Sequence, residues 1–133
     1  MALRPGVADL LARARKSGLR VAVATTTNRP NVEALCQACW SKPATEVFEV
    51  IAAGDEVMRK KPAPDVYLLA LERLGLGPQD CIAVEDSRNG LLSARAAGLR
   101  VLVTPSAYTK NDDFAGAAWL LPDLSEPNLP ALL

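Results

Sequence analysis

Four short apolar runs, LRVAVAT, VFEVIAAG, CIAVED and RVLVTP, alternate with segments whose apolar residues recur at helical spacing. That alternation restricts the fold more than any other property of the chain. A strand that is apolar throughout is buried on both faces, and helices between successive strands cover those faces. This is the pattern of βαβ units around a mostly parallel sheet. The first helical segment, RPGVADLLARARKSG, has Pro5 near its start and stops at Gly18. The second is capped by Asn28 and puts Val32, Leu35, Cys36, Cys39 and Trp40 on one face. The third starts near Asp65, turns Val66, Leu69, Ala70 and Leu74 inward, and stops in GLGPQD. The fourth, SRNGLLSARAAG, is capped by Asp86 or Ser87 and ends at Gly98. AWLLP is a weaker fifth strand, and the proline-rich tail from Pro122 carries little pattern. The expected class is α/β, and a uniform composition over residues 1–133 suits one domain.

Several function classes are disfavoured at this point. Lys plus Arg equals Asp plus Glu, so the formal net charge is zero. No basic field argues for nucleic acid, and no Lys/Arg run argues for a membrane surface. No apolar run approaches the ~18 residues of a membrane-spanning helix. The first residues lack the layout of a secretory leader, so the expected location is cytoplasmic. Three cysteines in that setting read as free thiols. Cys36 and Cys39 have redox-motif spacing but fall in mid-helix on the apolar face, where they read as core packing. The chain has no histidine, which removes the commonest general acid or base. No Gly-rich dinucleotide fingerprint and no GxxxxGK loop follows a strand.

In parallel sheets, ligands bind beyond the carboxyl ends of the strands. Thr25, Thr26, Thr27 and Asn28 follow the first strand; Gly54, Asp55 and then Lys60 and Lys61 follow the second. Glu85, Asp86 and Ser87 end the third, and Thr104, Pro105 and Ser106 end the fourth. Hydroxyls and backbone N–H groups at a strand-to-helix turn suit a phosphate. A lysine supplies the counter-charge, and Lys61 is stiffened by Pro62 and Pro64. Adjacent carboxylates such as Glu85 and Asp86 suit a hard divalent cation. Taken singly, a threonine run is turn chemistry, KKP is a solvated loop, and Asp-Ser is a helix cap. Three different polar sets at three strand ends of one sheet point to phosphate chemistry.

ATTT, then KKPAPD, then VEDSRNG resembles motifs two, three and four of the haloacid-dehalogenase-like (HAD) phosphatases. The segments ALRPGVADLLARARKSGLRVAVATTTNRPNVEALCQACW, VIAAGDEV and PSAYTKNDDFAGA resemble the CbbY group of that family, sugar-phosphate phosphatases of bacteria. The resemblance covers nearly the whole chain. It implies a three-layer, Rossmann-like α/β core with a mostly parallel sheet. It implies that Thr25 holds phosphoryl oxygens, with Thr26, Thr27 and Asn28 close by, within reach of a second phosphate of the substrate. It implies also that Lys61 neutralises the transferring group, that Asp86 ligates Mg2+, and that Glu85 ligates it or orients its shell. The implied substrate is a small sugar phosphate such as xylulose 1,5-bisphosphate, hydrolysed through an aspartyl-phosphate.

The family's first motif, DxDGT, supplies that nucleophile and the acid/base from the end of a central strand. The aspartates here are Asp9, Asp55, Asp65, Asp80, Asp86, Asp112, Asp113 and Asp123, and no two are separated by one residue. The expectation is a single partial core over 1–133, missing its first, central strand and the helical cap. Such a chain is inactive or nearly so alone, and holds Mg2+ weakly or not at all. The missing strand belongs between VAVAT and CIAVE. Its slot is expected to close by direct pairing, by a dimer or strand-swapped oligomer, or by a strand from another chain. The alternatives are a non-catalytic remnant completed by a partner and, less well matched, a receiver-like signalling module. In the latter the acidic pair comes first and Lys-Pro last, the reverse of the order here.

Overall fold

The computed structural model describes residues 6–124; Pro5 and the tail beyond residue 124 lie outside the described residues. The order is α1 (Val7–Lys16), β1 (Ala22–Ala24), α2 (Arg29–Trp40), α3 (Ala44–Val47) and β2 (Val50–Ala52). Then come α4 (Asp65–Leu74), β3 (Ile82–Glu85), α5 (Arg88–Ala96), β4 (Arg100–Val103) and β5 (Trp119–Leu120). Every strand pair is parallel. β1 pairs with β2 in the register Ala22 to Val50, and β3 pairs with β4 in the register Ile82 to Arg100. β5 adds to β4 on the far side. The α/β class read from the alternating runs is what the chain adopts.

The strand period of two decides which core each residue joins. Val50 and Ala52 of β2 face one side with Ala22 and Ala24 of β1, packing with Val66, Tyr67, Ala70 and Leu71 of α4. Ile51 faces the other side with Val21 and Val23, packing with Val32 and Cys36 of α2 and with Val47. The first core continues through Leu91 and Ala94 of α5 to Val101 and Val103 of β4. Helices therefore cover both faces of the β1–β2 pair. No helix of the described residues is long and apolar enough to cross a membrane.

Local chemistry explains the element boundaries. The Asn28 side chain accepts from Asn31 N at 2.9 Å and caps α2. At α5 it is Ser87, not Asp86, that caps, accepting from Gly90 N at 3.1 Å. VFEVIAAG is only partly a strand: Val47 closes α3, and the ladder holds just Val50–Ala52. Pro43 starts that short helix. It is tied to α1, because Arg15 donates to the carbonyls of Glu46 and Val47. On α4, Val66 and Ala70 are buried as the period implies, while Leu69 and Leu74 sit at the core's margin. Tyr67 and Leu71 are buried instead. α4 lies against β1, β2 and α5 together, so it buries a wider arc than a single stripe.

The described strands form two sheets, β1–β2 and β3–β4–β5, with no ladder between them. In the β3–β4–β5 sheet the middle strand, β4, is the most buried, as inner strands of a parallel sheet ordinarily are. β2 is buried throughout, whereas β1 is half-buried along its length. Val84 in β3 is 39 % exposed, while Val101, Leu102 and Val103 of β4 are wholly buried. β1 and β3 each keep one edge without a ladder partner among the described residues.

A second tie holds the β2 end onto α4. Glu56 accepts from Ala53 N at 3.0 Å and pairs with Arg73, which also donates to Ile51 O at 2.5 Å. The Arg73 guanidinium holds the Glu56 carboxyl below its ordinary value of 4.5. A carboxyl depressed by folding stabilises the fold above its unfolded pKa, and that contribution disappears as pH falls through the folded value. Glu56→Gln is therefore expected to flatten the loss of urea stability between about pH 5 and pH 3. A variant whose acid profile overlays the wild type would show that the pair contributes nothing.

Candidate functional site

β1 and β3 end at the same edge, and one lysine joins them. Lys61 Nζ donates to Ala24 O at the end of β1 (3.1 Å) and to Glu85 Oε2 at the end of β3 (2.5 Å). Its side chain is 12 % exposed and that of Glu85 is 8 % exposed. The ammonium also lies 5.0 Å from the centroid of the Tyr67 ring. Two of its three protons have partners among the described residues. A buried carboxylate is tolerable only when paired and fully hydrogen-bonded. Glu85 is paired through one oxygen: Lys61 and the Tyr67 hydroxyl both donate to Oε2.

Tyr67 is a site residue that the helical period alone does not reveal. Burial raises its pKa well above 10, and the Glu85 and Asp86 charges push it the same way. It therefore remains a proton donor to Glu85 at any physiological pH. The signal in the sequence is slight: a tyrosine on a buried helix face needs a partner for its hydroxyl.

The threonine turn lies beside the lysine. Thr25 N pairs with Ala52 O at 3.0 Å, which carries the β1–β2 ladder into the turn. Thr25 Oγ1 accepts from Thr27 N at 3.2 Å. Thr27 Oγ1 accepts from Asn31 Nδ2 at 2.6 Å, and the Asn28 carbonyl is occupied by the α2 cap. Thr26 is exposed, and its side chain has no hydrogen bond among the described residues. Gly54 closes the turn from the β2 side, donating to Thr27 O at 2.8 Å. A Cβ on Gly54 would lie 2.1 Å from Thr26 O, so only glycine permits this approach.

The acidic pair divides between two environments. Glu85 is buried and engaged; Asp86 is exposed, and its carboxylate has no partner among the described residues. No group of three or more Cys, Asp or Glu side chains among the described residues could hold a metal. One free carboxylate still fits a hydrated magnesium, which takes one or two carboxylates and completes its shell with water and phosphate. It does not fit a closed protein cage. Arg88 is half exposed and pairs with Asp113 at 3.1 Å. Cys36 is wholly buried, and burial raises its thiol pKa, as expected of a packing residue rather than a reactive one.

The sequence profile of the haloacid dehalogenase-like hydrolases matches residues 1–98. Protein CbbY of Rhodobacter capsulatus is 68% identical over 123 residues, covering 92% of this chain and 54% of that protein. Protein CbbY of Cereibacter sphaeroides is 57% identical over 126 residues, covering 95% of this chain and 55% of that protein. A crystal structure of CbbY from Rhodobacter sphaeroides in complex with xylulose-(1,5)bisphosphate superposes with a TM-score of 0.91 at 57% identity. That match covers 93% of this chain and 55% of the solved one. A crystal structure of a β-phosphoglucomutase homologue from Thermotoga maritima gives 0.78 at 30% identity, over 89% of this chain and 55% of that one. The chain spans about half the length of the curated relatives it matches.

Gly90 tests the buried cluster. A Cβ there would lie 1.8 Å from Glu85 Oε1 and force the carboxylate away from Lys61 and Tyr67. At a free helix position Gly→Ala gains up to about 1 kcal/mol. Here Gly90→Ala is expected to lower the unfolding free energy by about 2 kcal/mol through loss of charged hydrogen bonds. In a Glu85→Ala background the same change is expected to be neutral or stabilising. Urea unfolding of the four proteins measures the coupling, and additive effects would contradict it.

Proposed function

The chain belongs to the haloacid dehalogenase-like hydrolase family, and from that membership we propose that it forms the phosphate-gripping and cation-holding part of a magnesium-dependent phosphatase for a small sugar phosphate. The observation that carries this reading is the Lys61 ammonium, fixed by Ala24 O, which precedes the Thr25 turn, and by Glu85, which precedes Asp86. A phosphoryl group approaching that edge meets the third lysine proton, the Thr25 and Thr26 hydroxyls, and the amino end of α2. Such fixed charge and dipoles need no reorganisation as negative charge develops on the transferring oxygens. Glu85 and Tyr67 touch no phosphate in this reading; they hold the lysine. Asp86 is the residue that would hold magnesium, and the ion would neutralise phosphoryl oxygens.

The CbbY relative was crystallised with xylulose-(1,5)bisphosphate, and we extend that class of ligand, a sugar bisphosphate, to this chain. Thr27 and Asn28 act in this reading through the cap of α2, keeping the turn in shape, rather than through their own contacts to substrate. In the overall reaction the bond from phosphorus to the sugar oxygen breaks. Water supplies the new oxygen on phosphorus, and a proton returns to the sugar. The covalent step falls to a carboxylate outside this chain's sequence, which has no DxD pair. A cytoplasmic setting agrees with three unpaired thiols.

Phosphate release from a panel of sugar phosphates, with and without Mg2+, tests the reading. The purified chain is expected to release no more than its Asp86→Asn variant. Activity should appear when a polypeptide carrying the DxDGT strand is added, and Lys61→Met should abolish that activity, by at least about a hundredfold. Turnover by the chain alone that disappears in Asp86→Asn would mean that one of its own carboxylates is the nucleophile.

The slot between β1 and β3 belongs to the same reading: it is filled by a strand from outside the described residues. Without that strand, two apolar edges are left to pair with another copy. Light scattering on the isolated chain is therefore expected to report a dimer or larger species. A strictly monomeric chain with slowly exchanging β1 and β3 amides would instead show that the slot closes internally.

A further inference from the structure

The segment after β4 turns back and grips the residues that carry Asp86. Thr109 Oγ1 donates to the Asp86 carbonyl at 2.5 Å. That direction is fixed because a carbonyl can only accept. The Ser106 hydroxyl, 3.0 Å from Thr109 Oγ1, must then be the donor to it, and Ser106 N donates to the same oxygen at 2.9 Å. Tyr108 N donates to Ser106 Oγ at 3.2 Å and completes the chain. Three residues farther on, the Asp112 carboxylate accepts from Arg88 N at 3.3 Å. Asp113 accepts from the Arg88 guanidinium through its carbonyl at 3.2 Å and its carboxylate at 3.1 Å.

Around the acidic turn nearly every other polar group is therefore engaged. The Glu85 carboxylate has Lys61 and Tyr67, and the Glu85 carbonyl accepts from Thr104 N at 2.9 Å. The Ser87 hydroxyl caps α5, and the Arg88 amide has Asp112. The Asp86 carboxylate is left exposed and without a partner among the described residues, with its own backbone held by Thr109. We infer that Thr109 is a positioning residue, whose hydroxyl, relayed from Ser106, locks the Asp86–Arg88 turn so that the Asp86 carboxylate is presented for a ligand. The identity of that ligand as a divalent cation rests on the function proposed above; the lock does not.

Thr109→Val keeps the side-chain shape and removes the hydroxyl, while Thr109→Ser keeps the hydroxyl. Ser106→Ala removes the relay and, with it, the acceptor for Tyr108 N, and leaves the Thr109 hydroxyl in place. Hydrogen exchange of the Arg88 amide reads the lock without a metal, and Mn2+ alone, followed by electron paramagnetic resonance, reads the carboxylate. One hydrogen bond of ordinary net strength corresponds to roughly a fivefold change. Thr109→Val is thus expected to speed Arg88 exchange and weaken Mn2+ binding about fivefold. Thr109→Ser should stay near wild type, and Ser106→Ala should fall between. Unchanged exchange in Thr109→Val overturns the lock whatever the metal does. Equal loss in the Val and Ser variants, with a matching fall in melting temperature, also overturns it, because the hydroxyl is then not the cause. Faster exchange in Thr109→Val with no Mn2+ bound by the wild type supports the lock and removes the cation from Asp86.

Discussion

The strand-end edge of this molecule is organised around one ammonium group held between two sheets. No ladder joins β1–β2 to β3–β4–β5 among the described residues. Lys61 contacts both, through Ala24 O and Glu85 Oε2. The core beneath is continuous, because α4 and α5 pack against each other and against strands of both sheets. A core of aliphatic side chains resists separation but does not fix the relative height of two strand ends. Directional bonds from a nearly buried charge do.

That arrangement has a physical consequence for the neighbours of Lys61. A buried ion pair is not in itself a source of stability, since desolvation of both partners opposes their attraction. It persists where further hydrogen bonds complete it. Tyr67, the Ala24 carbonyl and the glycine at position 90 provide that completion: one donates, one accepts, and one leaves room. The cluster therefore fixes the geometry of the strand ends more than it adds net stability. The exposed Asp86 carboxylate beside it is the complementary case, a charge left in water where a ligand can reach it.

The sequence motifs do not all play the parts their order implies. Of the four residues Thr25 to Asn28, two are occupied in shaping α2 and its entry. Of the acidic pair, one member supports the lysine and the other faces solvent. Motif residues are adjacent in sequence, but successive residues at a strand end point to opposite sides. Adjacency therefore separates their environments rather than uniting them.

The alternation of apolar runs and helical periods determined the α/β class, the parallel sense of the strands and the edge on which polar residues gather. Those properties follow from local periodicity and from the rule that helical crossovers make parallel neighbours. Asn28 as a cap, the stops at Gly18 and Gly98, and Cys36 as a core residue were legible for the same local reason. The tertiary structure alone decided that Tyr67 meets Glu85, that Lys61 spans two sheets, and that Thr109 reaches back 23 residues to the carbonyl of Asp86. It also decided that β1 and β3 belong to separate ladders, with no strand pairing between them among the described residues. Each is a contact between residues distant in the chain, set by how helices pack over strands, and no period in a linear sequence encodes such a distance.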